Sequence, residues 1–465
     1  MFILLNPIKA KHNNFITFRL KEEGMFTNKM IFSLLVPILI EQSIIVAIEI
    51  ADTVMVSYVS EAAVAGISFL TTFDNLVKKV ISALAIGGSI VISQYIGSRE
   101  RSKAKSALKM LFYCNVFLTL IAGIILFIMR EPFLLLLTGN VEPEVMENAH
   151  TYFNFSMFSY PFFAVYFIVS AGYRAMQNSK IPMLCTIVMM AGNLILKYIF
   201  IFIFGWGVFG AGLSTLLSVM FVGIVMAIMI CMPSNYIYIK QIYLIKLDFK
   251  MIKRIMRLGI PNSIENGLFQ FGLVALQRLT ASFGTAALAA NAVVKSVAPI
   301  SYIIPSAFAL AIITVVGQCM GASEPGQADM YTRHILKFNY LIGLIINLLC
   351  ITINNPLMDS FNISGEAISL AKKIFYIYCT GAIFLYPASF VLPNALRAAG
   401  DIKYTMIASL STMFGARIGL AYVLGKHFGL GLLGVWIAMQ LDWIARSIAF
   451  VKRFVLGKWK IIRII

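Results

Sequence analysis

Residues 82–97 read SALAIGGSIVISQYIG and residues 306–321 read SAFALAIITVVGQCMG, the same segment written once in each half of the chain. Ser82, Ala83, Ala85, Val91, Gln94 and Gly97 return as Ser306, Ala307, Ala309, Val315, Gln318 and Gly321. Outward from this core, Pro37, Glu41, Ala62, Ala63, Ala65 and Ala104 return at the same interval as Pro261, Glu265, Ala286, Ala287, Ala289 and Ala328. After a small slip, Tyr160-Pro161 becomes Tyr386-Pro387, and Arg174, Lys180, Met183 and Gly192 become Arg397, Lys403, Met406 and Gly415. Apolar matches are cheap in a hydrophobic chain; the Pro, Glu, Gln and Gly matches are not. An interval as long as that from Gly97 to Gly321 far exceeds a solenoid unit and indicates a duplicated domain.

Composition fixes the solvent around the two copies. The 465 residues are 60% hydrophobic and only 12% charged, with a mean hydropathy of +0.87, too little polar surface for a water-soluble globule. Apolar runs long enough to cross a hydrocarbon core lie near 31–57, 64–96, 107–129, 151–172, 181–204 and 210–232. A second set lies near 259–283, 287–320, 335–354, 370–396, 402–424 and 430–451. The expected fold is therefore an all-α integral membrane protein of twelve transmembrane helices, six per repeat; the inside/outside alternation of a membrane barrel is missing. The corresponding division is a cytoplasmic tail over 1–30, an N-lobe over 31–232, a basic linker over 233–258, a C-lobe over 259–451 and a basic tail over 452–465. All six cysteines fall in or beside the expected spans, with no metal spacing and no disulfide framework.

The formal charge of +18 reports topology rather than a nucleic-acid partner. Most Lys and Arg fall in the segments that face one side: the N-terminal tail, the loops near 97–109, 174–180, 321–337 and 397–403, the linker and the C-terminus. Arg130, Lys372, Lys373 and Lys426 are the basic residues of the opposite loops, one of which carries Glu131, Glu142, Glu144 and Glu147. By the positive-inside rule both termini are cytoplasmic and the protein is a multi-pass component of the plasma membrane. An even number of helices per copy makes the repeats parallel, related by an axis along the membrane normal, with a central cleft expected between them. The linker, with Lys240, Lys246, Lys250, Lys253, Arg254 and Arg257, reads as a solvated, partly amphipathic segment resting on anionic headgroups.

The first copy opens PILIEQSIIVAIEIADTVMVSYVSEAAVAGIS and runs to GGSIVISQYIG; the second opens GIPNSIENGLFQFG and runs through FGTAALAANAV to ITVVGQCMGA. These stretches resemble the bacterial multidrug and toxic compound extrusion (MATE) transporters, nearer their DinF-like and clostridial members than the NorM type, over about residues 31–451. The resemblance implies two six-helix lobes around a central cavity and export of cationic amphipathic drugs or toxic organic compounds in exchange for protons or sodium ions. It also implies a coupling role for Asp52, the aspartate of the DTV motif. The NorM-type branch has a carboxylate further along the seventh helix, where this chain has Phe269 and Gln270, which argues against a NorM-like sodium site in the C-lobe.

Charges inside the membrane are costly and usually face a cavity or a partner. The first helix holds Glu41, Glu49 and Asp52. Glu41 and Asp52 point about 20° apart and lie roughly 16 Å apart along the axis, so they share a face but no single small ion. A desolvated carboxyl at Asp52 can load and release a proton; the alternative is an interfacial aspartate at the helix end. Glu41 and Glu265, each one helical turn after a proline, are either cleft-facing cation binders or braces within their own lobes. Asp74 and Lys78, and Asp442 and Arg446, have the i,i+4 spacing of ion pairs. Lys197, Lys295 and Arg417 lack a local partner and could answer Glu41, Glu265 or Asp52 from another helix. Basic residues in a cavity also disfavour cationic substrates.

Other classes fit less well. An intramembrane enzyme needs clustered histidines or carboxylates, yet His12, His150, His334 and His427 read as tail or loop residues. A channel suits a duplicated pair of bundles less well than alternating access does. The nearest rival is a lipid-linked oligosaccharide flippase, kept open by Lys295 and Arg417. No cofactor is expected beyond the coupling ion, H+ or Na+, and no partner beyond a small-molecule substrate and membrane lipids; the protein is expected to be monomeric. Single cysteines at Asn140 and Gly365 in a cysteine-free background should label from outside, and those at Ser102 and Lys250 only from the cytoplasm. External labelling at Lys250 overturns the parallel-repeat topology.

Overall fold

The computed structural model describes residues 24–138, 142–361 and 363–465. Residues 1–23, the labelling position Asn140 and the side chain of Glu49 lie outside the described part. The described residues are almost wholly helical. In the first copy the helices are α1 (Asn28–Ser57), α2 (Glu61–Gly97), α3 (Arg101–Ile128), the short α4 (Arg130–Thr138), α5 (Pro143–Ala175), α6 (Lys180–Tyr198) and α7 (Gly207–Ile230). The second copy follows with α8 (Phe249–Ala281), α9 (Thr285–Val297), α10 (Pro299–Gly321), α11 (Pro325–Thr352), the short α12 (Asn354–Asp359) and α13 (Gly365–Tyr386). It closes with α14 (Leu392–Ala398), α15 (Ile402–Ser411), the very short α16 (Leu420–Tyr422) and α17 (Gly431–Val455).

Eleven described stretches are long and apolar enough to cross a membrane. The twelfth position belongs to α8, which has 33 residues but a polar face with Asn262, Glu265, Asn266 and Gln270. Several helices begin earlier than their apolar stretches do, because their first turns are polar or basic. His150 and His334 accordingly lie on α5 and α11, not in loops, and α8 begins at Phe249, well ahead of the apolar span that starts near 259. The eighth span, continuous as a hydropathy run, breaks at Ala298 before Pro299, where proline removes a backbone donor.

The duplication is written in the backbone as well as in the residues. A π-helical turn at Ile199–Ile203 recurs at Val423–His427. Each turn runs into a Phe-Gly-x-Gly corner, Phe204–Gly207 and Phe428–Gly431, whose glycines take positive φ of 68° and 50° in the first copy and 69° and 54° in the second. Only glycine enters that region without a Cβ penalty. Non-glycine residues with positive φ recur in step too, at Arg99 (62°) and Ser323 (59°), each just past a helix end.

The chain divides into two compact units, Val36–Gly267 and the remaining described residues up to Leu35 with Leu268–Ile465. In the first, α2 packs along α5 and α5 along α7. The segment after α7 is held against α3: Arg101 Nε donates to the Tyr236 carbonyl at 2.6 Å and Tyr113 Oη to that of Ile242 at 2.9 Å. Of the expected linker, only the part from Phe249 onward is helical. In the second unit, Phe375, Tyr378, Trp436 and Trp443 centre a core built from α9, α13 and α17.

At one point in the first unit, backbone meets backbone. A Cβ added to Gly87 on α2 would stand 2.5 Å from the Gly259 Cα on α8, a distance at which the helices must separate. Gly87→Val is expected to destabilise the protein by about 1–3 kcal/mol, the usual cost of overpacking, read as a lower thermal midpoint in detergent. An unchanged midpoint contradicts this packing.

Candidate ion-coupling site

Asp52 lies near the end of α1, where its side chain is 36% exposed. Lys197, in the last turn of α6, sends its ammonium to Asp52 Oδ1 at 2.8 Å and is itself only 3% exposed. The Asn193 amide, one turn earlier on α6 and oriented with its nitrogen toward the carboxylate, donates to the same oxygen at 3.1 Å. Its carbonyl accepts from the Thr215 backbone N–H of α7 at 3.3 Å. Three helices thus meet on one carboxylate. Val56, one turn beyond Asp52, and Ile201, one turn beyond Lys197, belong to an apolar cluster with Ala63, Ile67, Val208 and Ala211. A lysine so enclosed is tolerable only against an anion, and Asp52 is that anion.

Neighbouring polar groups extend the site without adding a second ion pair among the described residues. Tyr152 of α5 stands within electrostatic reach of both Asp52 and Asp74. Asp74 of α2 is 3% exposed and accepts from Ser156 Oγ at 2.9 Å and Tyr160 Oη at 2.6 Å. The i,i+4 ion pair expected between Asp74 and Lys78 does not form. Instead, the two hydroxyls of α5 face the carboxylate, and Lys78 Nζ lies over the Phe163 ring, 4.6 Å from its centroid.

Glu41 belongs to a different cluster of the same unit. Only 1% exposed, it accepts from Arg174 Nη2 at 2.5 Å and Tyr166 Oη at 3.0 Å. Thr186 Oγ1 lies 2.6 Å from the Tyr166 hydroxyl. This ties α1 to the end of α5 and the start of α6, which is the geometry of a brace. Glu265 on α8 is likewise buried, at 6%.

The second unit brings together other residues. Asp442 is fully buried and takes Arg446 Nε at 2.8 Å, the i,i+4 pair expected from spacing. Arg417 approaches the other oxygen of Asp442 at 3.7 Å, and both guanidiniums lie over the Phe269 ring. Lys295 is exposed on α9.

The Asp52 site occurs in one copy only. At the repeat interval its members correspond to Leu276, Ala416, Leu420 or Ala421, and Met439. A pair that served only to hold the fold would be expected in both. Asn193 and Thr215 carry no sequence signal of their own. Arg174 did carry one, since it recurs with Glu41 in both copies as an opposite charge.

Comparison with known proteins agrees with this architecture. The MatE family profile matches residues 37–199 and again 261–423, two segments separated by the repeat interval. A probable multidrug resistance protein NorM from Thermotoga maritima is 27% identical over 446 residues, covering 95% of both chains. Among solved structures, the Vibrio cholerae MATE transporter VcmN superposes with a TM-score of 0.84 at 20% identity, covering 93% of this chain and 98% of that one. A transporter of the MOP superfamily from Pyrococcus furiosus, described as having a binding pocket of reverse polarity that suggests a different function, superposes with a TM-score of 0.83 at 20% identity. It covers 92% of this chain and 96% of that one.

The Glu41 cluster yields a stability test. Glu41→Gln removes the carboxylate that Arg174 meets inside the bundle, at an expected cost of about 3–5 kcal/mol, seen as a lower thermal midpoint. Glu41→Gln combined with Arg174→Gln should recover part of that loss. A single variant that melts like the wild type contradicts the brace.

Proposed function

The chain belongs to the MatE family of bacterial membrane transporters, and on that premise we propose that it exports amphipathic drugs or toxic organic compounds across the plasma membrane in exchange for protons. The observation that carries this reading is the 2.8 Å contact between Asp52 and Lys197. A carboxylate that couples transport must be open enough to exchange an ion and buried enough for that exchange to alter packing. Asp52 meets both conditions, being partly exposed and attached to a buried partner.

The same contact argues for a proton over sodium. A sodium ion needs several oxygen ligands around a net negative site, whereas here a fixed ammonium already holds the nearest position on Oδ1. A metal cation entering there faces like-charge repulsion at close range in a medium of low dielectric. A proton needs only one lone pair. Once Asp52 is protonated, Lys197 is left as a buried cation without its anion, a costly state. The end of α6 must then move to bring the ammonium to water or to another anion. That turns one proton into a change of helix packing, the kind of local charge event that biases a two-state element. The π-helical turn at Ile199–Ile203, directly after the end of α6, is where such a helix can change its winding.

In proteoliposomes with pH and sodium gradients imposed separately, the pH gradient alone should drive uphill uptake of an amphipathic dye, and the sodium gradient alone should not. Asp52→Asn should still bind the dye while losing uphill transport. Sodium-driven uptake by the wild type, or wild-type rates in Asp52→Asn, overturns the assignment.

A further inference from the structure

We propose that Arg417 is a substrate-binding cation, and that the compounds exported include amphipathic molecules bearing a carboxylate. This deepens the export reading above, and rests on it, by naming a substrate class.

Two guanidiniums share one anion in the second unit, and they share it unequally. Arg446 is fully engaged: Nε reaches Asp442 Oδ1 at 2.8 Å and Nη2 donates to the Ser409 carbonyl at 3.1 Å. Arg417 approaches Asp442 Oδ2 only at 3.7 Å, beyond hydrogen-bond length, and makes no hydrogen bond among the described residues. Its Nε is buried without a partner, as is Asp442 Oδ2. One carboxylate neutralises one guanidinium, so the cluster keeps a net positive charge inside a stretch long and apolar enough to cross a membrane. Lys295 adds a second cation with no ion pair or hydrogen bond among the described residues, and its charge acts against that of Arg417.

A cation retained under these conditions is a functional site by default. The missing element is an anion. Arg417 presents a planar fork of donors, which suits the two oxygens of a carboxylate. The Phe269 ring lies beneath it, its centroid 5.5 Å from the guanidinium carbon. Arg417 remains 12% exposed, so the fork is not sealed.

The local backbone is unusual in the same stretch. Gly192 answers to Gly415 and Gly205 to Gly429, and the second of these pairs is spaced one position wider than the first. The second copy therefore holds one extra residue between its two glycines. The structure absorbs it in the π-helical stretch Thr412–Gly419, which carries Arg417. Such wide turns within helices concentrate at functional sites. No equivalent of this stretch occurs on α6, which stays α-helical from Lys180 to Tyr198.

The test uses a dye pair differing only in the acid: rhodamine 110, which carries a free carboxylate, and rhodamine 123, its methyl ester. Binding of each to purified full-length protein in detergent is followed by fluorescence polarisation. Because this assay has no transport step, its result stands whether or not the export reading does. Wild type should bind rhodamine 110 roughly tenfold more tightly than rhodamine 123, as expected for one charge-assisted contact. Arg417→Gln should abolish the preference, by weakening rhodamine 110 and easing the repulsion of the cationic ester, and Arg417→Lys should restore part of it. Equal wild-type affinities, no binding of either dye, or a preference that survives Arg417→Gln overturns the proposal. Displacement of rhodamine 110 by millimolar phosphate or by phosphatidylglycerol, but not by the carboxylate of benzoate, also overturns it and reassigns the site to a phosphate group.

Discussion

An ammonium group inside an apolar helix bundle needs an anion within hydrogen-bond reach, and Lys197 finds one in Asp52 at 2.8 Å. Much of the first unit is arranged around that requirement. It brings the end of α1 against the end of α6 and places Asn193 where its amide reaches the carboxylate while its carbonyl meets α7. The pair therefore closes the far end of a three-helix cluster. Glu41 and Arg174 do the same where α1 meets the end of α5 and the start of α6. Of the two carboxylates only Asp52 keeps an exposed flank, and only a carboxylate with such a flank can exchange an ion.

The duplication gives that asymmetry its meaning. Both copies have the π-helical turn and the double-glycine corner after it. The charged clusters differ between the copies. The first copy places an acid and a lysine at positions where the second has Leu276 and small or apolar residues. The second copy places Asp442, Arg446 and Arg417 together, where the first, at the repeat interval, has Ser218 and Val222 opposite the first two. One framework thus serves twice, and each copy is specialised by a few substitutions on facing helices.

The fold was legible because hydropathy and a long repeat leave few alternatives, and Asp52 stood out through its motif. What stayed hidden was tertiary pairing. Asp74 and Lys78 have the same spacing as Asp442 and Arg446, yet only the second pair forms, because Ser156 and Tyr160 of α5 face Asp74 and compete for it. No helical spacing could link Lys197 to Asp52, which lie on different helices far apart in the chain. The π-helical stretches were also silent in the residues, although the one-position change in the repeat interval between Gly192 and Gly205 records the extra residue in one of them. Helix starts were read late because the first turns are basic and polar, which hydropathy scores as loop.

The claim that most of this account rests on is that Asp52 binds a proton and excludes sodium because Lys197 holds the cation position. Difference infrared spectroscopy of the purified protein reads this directly, as the stretch of a protonated carboxyl that is lost in Asp52→Asn. The account predicts that this band rises on acidification and is unaltered by saturating sodium at constant pH. A band that sodium removes at constant pH would show the two ions competing for Asp52, and would contradict it.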